Sequence, residues 1–250
     1  MRRFSRLVLA LPLLALALVP ASAAEFNDAQ KAEIQAIVKD YLVKNPEILR
    51  DMAQALQEAD RVAEDKQRGE TLTAHKDAMF NDAGDFVAGN PKGKVTLVEF
   101  FDYNCGYCKK SFPAVMSLAE KDKDLRIVLK ELPIFGGDSD YAAKAAVAAH
   151  MQGKYWELHQ ALFKHEGKVT AEVVDAAAKD AGMDVAKMKA DMAGEAVQAK
   201  LAKNEELARA MAFTGTPAFV VDDVVIPGAV PLEALEQTLK DVRDRGCKYC

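Results

Sequence analysis

Two cysteines separated by two residues stand between a β-rich run and a helical pattern, and this arrangement constrains the fold more than any other feature. Residues 95–101 are rich in β-branched and aromatic side chains, and Cys105 and Cys108 follow within a short turn. Residues 109–121 then place apolar side chains at helical spacing, and residues 125–132 form a second β-rich run. The order strand, cysteine turn, helix, strand predicts an α/β fold.

The position of the cysteines predicts redox chemistry. A thiol at the N-terminus of a helix is acidified because the helix dipole and the free backbone N–H groups stabilise its thiolate. Cys105 is therefore expected to be the nucleophile, and Cys108 is placed to attack a mixed disulfide on Cys105. A bare C-x-x-C spacing also fits a structural disulfide or half of a zinc site. The strand before the pair and the helix after it favour a reversible dithiol/disulfide.

Residues 1–24 have the pattern of a secretory signal peptide. Three arginines precede an apolar run over residues 7–19, and Ala21-Ser22-Ala23 supplies the small residues that a signal peptidase accepts. The alternative is an uncleaved membrane anchor, for which the run is short. Cleavage would remove the three arginines and change the formal net charge from −5 to −8. We therefore expect an exported, periplasmic protein, and its acidic charge disfavours nucleic acid as a partner.

Residues 25–80 are predicted to be helical. Asn27 and Gln30 have the spacing of a capping box, and apolar residues recur at helical spacing as far as Leu56. Beyond Leu56 the sequence is highly charged and keeps only a thin apolar stripe, so this segment buries little against its own domain. Two interpretations stay open, namely homo-oligomerisation through the segment and a solvated helical linker.

A turn-rich stretch over residues 81–94 marks the start of the main domain, which we assign to residues 81–246. Within it, residues 139–213 are rich in alanine and helical in period, which predicts a helical insertion. Two short β-rich runs follow within residues 218–226, and residues 231–245 form the last predicted helix.

Glu99 and Lys130 are candidate catalytic residues. Glu99 lies on the strand that leads into Cys105, where alternation of side chains in a hydrophobic setting would bury it beneath the cysteines. A buried carboxyl with a raised pKa can move protons for Cys108 during exchange. Lys130 lies on the next predicted strand and is expected to pair with Glu99. The alternative is that both are half-exposed residues at strand edges.

Thr216 and Pro217 are candidate substrate-binding residues. They immediately precede a predicted strand, where a proline is tolerated. A cis bond between them would place the Thr216 backbone beside the cysteines, where an extended substrate can pair with it. Gly106 and Tyr107, which separate the two cysteines, complete the set of predicted substrate-binding residues.

The run V-E-F-F-D-Y-N-C-G-Y-C at residues 98–108, together with Lys130 and Thr216-Pro217, resembles the DsbA/DsbC/DsbG group of periplasmic thiol–disulfide oxidoreductases. The resemblance spans about residues 86–245 and implies a thioredoxin fold with an inserted helical domain. It also implies a set of roles: an exposed nucleophile at Cys105, a resolving thiol at Cys108, a cis-proline at Pro217 and a buried pair formed by Glu99 and Lys130.

Within this group the details resemble the isomerase more than the oxidase. The DsbA oxidase has Pro-His between its cysteines, whereas Gly106-Tyr107 offers no cation and, together with Thr216, resembles DsbC. The segment at residues 25–80 most resembles that of ScsC-like proteins, where it serves oligomerisation and the chain is linked to copper tolerance. The resemblance thus implies four kinds of partner: proteins with disulfides or thiols, a membrane redox partner, copper, and further copies of the chain.

A second C-x-x-C pair, Cys247 and Cys250, ends the chain. It follows Gly246, which fits a helix C-cap, so no helix begins at this pair and no helix dipole acidifies it. Three interpretations stay open for the tail at residues 247–250: a local disulfide, an accessory redox pair and a metal-binding tail.

These features together predict a periplasmic thiol–disulfide oxidoreductase of the ScsC-like kind that leans towards isomerase or reductase activity, with no cofactor and no resident metal site. A DsbA-like oxidase is the alternative within the same class of enzyme. The alternative outside it is an envelope protein that binds copper(I) or zinc through its cysteine pairs.

Overall fold

The computed structural model describes residues 26–247 as two compact units, which are divided between Ala59 and Asp60. The predicted signal peptide and Cys250 lie outside the described residues. No helix in the described range is long and apolar enough to cross a membrane. The elements of residues 26–247 are α1 (Asp28–Lys44), α2 (Glu47–Ala74), α3 (Lys76–Phe80), β1 (Phe86–Gly89), β2 (Val95–Phe101), α4 (Gly106–Lys121), β3 (Leu125–Glu131), α5 (Asp138–Met151), α6 (Tyr155–Lys164), α7 (Ala171–Asp180), α8 (Val185–Met192), α9 (Glu195–Ala210), β4 (Ala218–Val221), β5 (Val224–Pro227) and α10 (Leu232–Arg245).

The N-terminal unit is helical and leaves its apolar side chains exposed. The predicted capping box opens α1, because the Gln30 N–H donates to Asn27 Oδ1 at 2.9 Å and the Asn27 N–H donates to Gln30 Oε1 at 3.0 Å. No side chain of α1 is buried. The large apolar residues that remain exposed in α1 and the first part of α2 are Ile34, Ile37, Val38, Tyr41, Val43, Leu49, Met52 and Leu56.

The second unit begins inside α2, whereas the predicted domain boundary lies after residue 80. The difference arises because the last turns of α2 and all of α3 belong to the main hydrophobic core. Leu72, Met79 and Phe80 are buried there against residues of the sheet. Burial of these three side chains anchors the C-terminal part of the helical segment to the domain that carries the cysteines.

A five-stranded mixed sheet with the order β1-β3-β2-β4-β5 forms the centre of the second unit. The central strand β2 pairs in parallel with β3 and antiparallel with β4, and the two outer strands pair antiparallel with their neighbours. Both β2 and β3 are buried along nearly their whole length, and this burial includes the charged residues Glu99, Lys130 and Glu131. Helix α4 connects β2 to β3, as the sequence predicts.

Helices cover both faces of this sheet. Alternate residues of β2 separate into two clusters: Leu97 and Phe101 face a core shared with α4 and α10, and Val98 and Phe100 face a core shared with α3 and α9. The two faces therefore offer two different environments to any polar residue of β2 or β3.

Five helices, α5 to α9, are inserted between β3 and β4, close to the predicted insertion at residues 139–213. Helix α5 is the centre of this insertion, because α6, α7, α8 and α9 all pack on it. Its alanines are buried nearly completely, and their small side chains let several helices approach one axis.

A cluster of charged side chains is buried on the sheet face that α3 and α9 cover. Lys130 of β3 contacts the Asp85 carboxylate and donates to the Ala78 carbonyl at 2.8 Å. Lys200 of α9 contacts the same carboxylate and lies 3.2 Å from Asp82. The cluster ties β3, the turn before β1 and α9 together through desolvated ion pairs.

We expect Asp85→Ala to lower the free energy of unfolding by about 3–5 kcal/mol, because it leaves the Lys130 ammonium buried without its carboxylate. The matched control is Glu205→Ala, which removes an exposed pair with Arg209 and should change stability by less than about 1 kcal/mol. Urea unfolding of both variants measures the difference. Similar losses in the two variants would contradict a structural role for the buried cluster.

Candidate active site

Cys105 is the N-cap residue of α4, with the extended backbone that a cap requires (φ −77°, ψ 114°). Its sulfur accepts the Cys108 N–H at 3.3 Å, and in the protonated form its thiol donates to the Thr216 carbonyl at 3.2 Å. Both cysteines are free thiols. Cys105 retains only 3% of its accessible surface and Cys108 none. The nucleophile is thus far less exposed than the resemblance implies, because the Thr216 loop packs against it.

The pKa values of the two thiols are shifted in opposite directions. The Cys108 thiol donates a hydrogen bond to the Cys105 sulfur and, with smaller contributions from the Thr216 side chain and the N–H groups of Cys108 and Tyr107, lowers the pKa of Cys105 to about 6 against the opposing effect of burial. Burial and the neighbouring Cys105 raise the pKa of Cys108 far above its usual range. At neutral pH the reduced pair therefore holds one thiolate and one thiol.

Glu99 is buried on the same face of β2 as the cysteines. It shares that face with Leu97 and Phe101, whose cluster includes Cys105 and Cys108. Burial, reinforced by the negative charge on Cys105, raises the pKa of Glu99 to about 8. A carboxyl with this pKa can hold or release a proton near neutral pH.

The structure does not bring Lys130 to Glu99, and the expected pair is wrong. In the parallel register Lys130 is opposite Phe100, so its side chain leaves the sheet on the face away from the cysteines. It is fully buried there and pairs with Asp85. Burial lowers the pKa of Lys130 to about 8, and Asp85 opposes that shift. Lys130 is a core residue of the opposite face.

The loop before β4 lies beside the cysteines. The peptide bond between Thr216 and Pro217 is cis, and the Thr216 carbonyl accepts from Cys105. Strand β4 starts at Ala218, which pairs with Phe100 of β2, so the loop stands at the end of β2 that leads into the cysteine turn. Backbone groups at this position are available to a substrate that approaches the sulfur in an extended conformation.

Of the two residues between the cysteines, Tyr107 exposes its ring to solvent and Gly106 leaves open space beside its backbone. Tyr107 is 64% exposed, and Lys110 Nζ lies 5.3 Å from the centre of its ring. Apart from its chain neighbours and the backbone of its own helix, no protein atom lies within 4 Å of the position that a Cβ of Gly106 would occupy. The backbone at Gly106 is therefore open towards any partner of the sulfur.

Three polar residues that directly precede Cys105 make hydrogen bonds whose partners are not apparent from the sequence. Asp102 accepts from the Ser139 hydroxyl at 2.7 Å, and Asn104 accepts from the Val169 N–H at 2.8 Å. The sequence sign of these contacts is the presence of polar side chains between a buried strand and a buried turn, where each side chain needs a hydrogen-bond partner.

The third of these residues, Tyr103, enters a buried polar network. Its hydroxyl donates to Glu131 Oε1 at 3.0 Å, Tyr155 donates to the same oxygen at 2.8 Å, and His159 Nδ1 lies 3.0 Å from the Tyr103 hydroxyl. Burial raises the pKa of Glu131 well above its usual range and lowers the pKa of His159 to about 3. The network joins the cysteine turn, β3 and α6.

Cys247 stands apart from this site. It is disulfide-bonded, which favours the disulfide among the three interpretations of the tail. It lines a cavity of about 780 Å³ together with Val95 and Thr96, at the start of β2, whereas Cys105 follows the end of β2. A seven-residue strand spans about 20 Å. The two cysteine sites of one chain are therefore at opposite ends of β2.

Among residues 26–247 no three His, Cys, Asp or Glu side chains are grouped as a metal site requires. The arrangement at Cys105 suits proton-coupled thiol–disulfide exchange. It comprises an acidified thiol, a second thiol one turn on, a buried carboxyl and a backbone edge for an extended partner.

Comparison with known proteins agrees with this architecture. A family model described as a DSBA-like thioredoxin domain matches residues 96–240, and one described as the copper resistance protein ScsC N-terminal domain matches residues 30–61. A thioredoxin-like oxidoreductase from Silicibacter pomeroyi is 42% identical, and the match covers 67% of this chain and 97% of that chain at a TM-score of 0.66.

Two further solved structures extend the likeness. A linker-deletion mutant of Proteus mirabilis ScsC is 31% identical over 90% of this chain and 100% of that chain, at a TM-score of 0.68. A periplasmic thioredoxin-like protein from Salmonella enterica serovar Typhimurium is 32% identical over 66% of this chain and 94% of that chain, at a TM-score of 0.61.

The curated relatives are much longer than the region they share with this chain. The Na(+)/H(+) antiporter NhaA 1 of Salinispora arenicola is 31% identical over 153 residues, which are 60% of this chain and 24% of that protein. The chain thus spans about a quarter of the length of the curated relatives it matches.

The DSBA-like match covers more than half of the chain, and the predicted thioredoxin fold with a helical insertion is confirmed. The chain belongs to the DsbA-like thioredoxin-domain family and joins that domain to an ScsC-type N-terminal domain.

Proposed function

We propose that this protein is a periplasmic thiol–disulfide oxidoreductase that acts on protein substrates and leans towards disulfide isomerisation or reduction. The observation that carries the proposal is the placement of two adjacent thiols at the start of α4, where Cys105 is the N-cap residue and its sulfur accepts the Cys108 N–H at 3.3 Å. Cys105 is a thiolate at neutral pH, and Cys108 remains protonated beside it.

In the forward reaction the Cys105 thiolate attacks one sulfur of a substrate disulfide. A sulfur–sulfur bond forms between Cys105 and the substrate, the substrate disulfide breaks, and its second sulfur leaves as a thiolate. Cys108 then loses its proton and attacks Cys105, which oxidises the enzyme pair and releases a reduced substrate. If another substrate thiol attacks first, the substrate disulfide is rearranged and the enzyme returns to its dithiol form.

Glu99 is proposed to move the Cys108 proton. Cys108 cannot become a nucleophile without a nearby base, since burial holds its pKa far above neutral. Glu99 is buried on the face of β2 that points to the cysteines, and its pKa of about 8 keeps an ionised fraction available at neutral pH. This assignment gives the carboxyl a proton-transfer role in the resolving step.

The isomerase leaning rests on the residues around the sulfur. Neither Gly106 nor Tyr107 places a cation against the thiolate, so the Cys105 pKa falls only to about 6 and the oxidised pair has a weaker oxidising tendency than a cation-stabilised pair would have. Sustained isomerase or reductase work requires an external electron donor, which we assign to a membrane redox partner. The DsbA-like oxidase is the same chemistry run in reverse from the oxidised pair.

Residues 25–80 are proposed to bring several copies of the chain together. The exposed apolar side chains of α1 and the first part of α2 recur at helical spacing, for example Leu49, Met52 and Leu56, and each of these three is more than half exposed. Such a stripe is unfavourable in water and suits packing against an equivalent stripe of another copy.

The proposed location is the periplasm, on the strength of the leader-like residues 1–24 and of the likeness to a periplasmic thioredoxin-like protein from Salmonella enterica serovar Typhimurium. A link to copper tolerance is proposed from the ScsC-type N-terminal domain.

The first prediction concerns the acidity of Cys105. Its alkylation by iodoacetamide should rise with pH through a midpoint of about 6, well below that of an ordinary thiol. Cys108→Ala should move the midpoint upward, because it removes the strongest stabilising hydrogen bond, and Cys108→Ser should move it less, because a hydroxyl can still donate. The thiolate absorbance near 240 nm follows the same titration. A midpoint near 9 in all three proteins would refute the proposed nucleophile.

A second prediction separates Glu99 from Lys130. Glu99→Gln should slow the resolving step by at least about tenfold near pH 8 and abolish its rise with pH as the carboxyl ionises. Lys130→Met should leave this step unchanged in the folded protein, because Lys130 faces the other side of the sheet. Reactivation of scrambled ribonuclease and the lifetime of the mixed disulfide measure both effects, with Cys105→Ala as the inactive reference. Reactivation by Cys105→Ala at the wild-type rate would refute the enzymatic proposal.

A third prediction tests oligomerisation in the full chain. Met52→Asp places a charge in the apolar stripe of α2 and should convert the oligomer to a monomer. Gln54→Asp adds the same charge on the other side of that helix and should leave the mass unchanged. Light scattering after gel filtration measures the mass. A monomeric wild-type protein would contradict the proposal.

A further inference from the structure

We propose that Asp102 is a positioning residue for substrate recognition, which holds the exposed loop at residues 132–137 beside the catalytic turn. Asp102 is 2% exposed, and three donors converge on its carboxylate. Oδ1 accepts from the Asn104 N–H and from the Ser139 hydroxyl, each at 2.7 Å, and Oδ2 accepts from the Phe135 N–H at 3.3 Å. The proposal rests on the exchange activity proposed above and adds a recognition element to it.

The loop that Asp102 holds connects β3 to α5 and presents apolar side chains to solvent. Ile134 is 44% exposed and Phe135 61% exposed, so two adjacent large apolar side chains face solvent at this point. Gly136 and Gly137 follow with positive φ angles of 62° and 49°, where other residues are strained. The loop therefore has a defined shape, and the Asp102 carboxylate bonds its Phe135 N–H and the Ser139 hydroxyl just beyond its end.

This loop adjoins the catalytic turn. Asn104, which immediately precedes Cys105, lines a cavity of about 290 Å³ together with Phe135 and Ser139. Tyr107, between the cysteines, is a further exposed aromatic residue. The fitting occupant is a partly unfolded protein whose apolar side chains flank the disulfide that Cys105 attacks, because such a segment buries apolar surface on Phe135.

The chemistry of the carboxylate explains why aspartate suits this position. A carboxylate has only acceptors, and both oxygens are used by donors here. An asparagine that keeps its oxygen on the Asn104 N–H and the Ser139 hydroxyl turns its NH2 group towards the Phe135 N–H. The loop would then lose its hydrogen bond while the side chain kept its size.

The turn itself has further supports besides the bond from the Asn104 N–H to Asp102, a bond that the oxygen of an asparagine can still accept. Asn104 donates to the Val169 carbonyl at 3.1 Å and accepts from the Val169 N–H at 2.8 Å, and Tyr103 is held by Glu131. Substitution of Asp102 should therefore release the loop and leave the Cys105 sulfur in place. This separation makes the proposal testable through substrate size.

The test compares Asp102→Asn, Phe135→Ala and the double variant in the full-length protein. Initial rates are measured with insulin as a protein disulfide and with DTNB as a small disulfide, and the thiolate titration of Cys105 is recorded. We expect Asp102→Asn to raise KM for insulin about five- to tenfold, with kcat/KM for DTNB and the Cys105 pKa unchanged. The double variant should be no worse than Phe135→Ala, because both changes remove the same contact.

The matched control is Asp222→Asn. Asp222 is also a buried aspartate that accepts a backbone N–H, from Thr96 at 2.8 Å, but it lies at the far end of the sheet from the cysteines. Its substitution should leave KM for insulin unchanged. If Asp102→Asn proves poorly folded, Ser139→Ala removes only one donor and should raise KM in the same direction by about twofold.

Equal losses with insulin and DTNB, a shifted Cys105 pKa, or full additivity with Phe135→Ala would each overturn the role of Asp102 in recognition. An unchanged KM for insulin would do the same while leaving exchange activity intact. A wild-type protein that reduces neither disulfide would instead refute the proposed function, and this inference with it.

Discussion

The hydrogen bond that the Cys108 thiol donates to the Cys105 sulfur is the interaction on which the whole site depends. It is the largest single cause of the lowered Cys105 pKa, and it requires Cys108 to stay protonated. Burial enforces that requirement by raising the pKa of Cys108, but it also prevents Cys108 from resolving a mixed disulfide unaided. Resolution therefore requires a base that is buried close to Cys108, and the buried carboxyl of Glu99 fits that requirement.

The alternation of side chains along β2 decides which residues can share that space. Local sequence patterns were sufficient to predict the strand, the cysteine turn and helix α4, and alternation correctly placed Glu99 on the face of the cysteines. The same reasoning failed for Lys130, because its face depends on the register between β2 and β3. A shift of one residue in that register moves a side chain to the opposite face, and no local pattern determines it.

Contacts between residues far apart in the chain could not be predicted from the sequence either. The carboxylate of Asp85 that accompanies Lys130, and the Ser139 hydroxyl that bonds Asp102, are separated from their partners by 45 and 37 residues. The sequence indicated the helical insertion through its alanines but not how its helices meet the sheet. Likewise, the end of α2 belongs to the main domain because Leu72 is buried in its core. The charged sequence around Leu72 gives no sign of this burial.

The three residues before Cys105 explain how reactivity and recognition can be separate properties of one turn. Asp102 bonds the loop that leads into α5, Tyr103 bonds Glu131 of β3, and Asn104 bonds Val169 before α7. The strands and helix α4 supply the acidity of the sulfur, whereas the insertion supplies the surface around it. Since Asp102 bonds the Phe135 N–H while Tyr103 and Asn104 give the turn further bonds, changes in the loop can alter which proteins dock without altering the thiol chemistry.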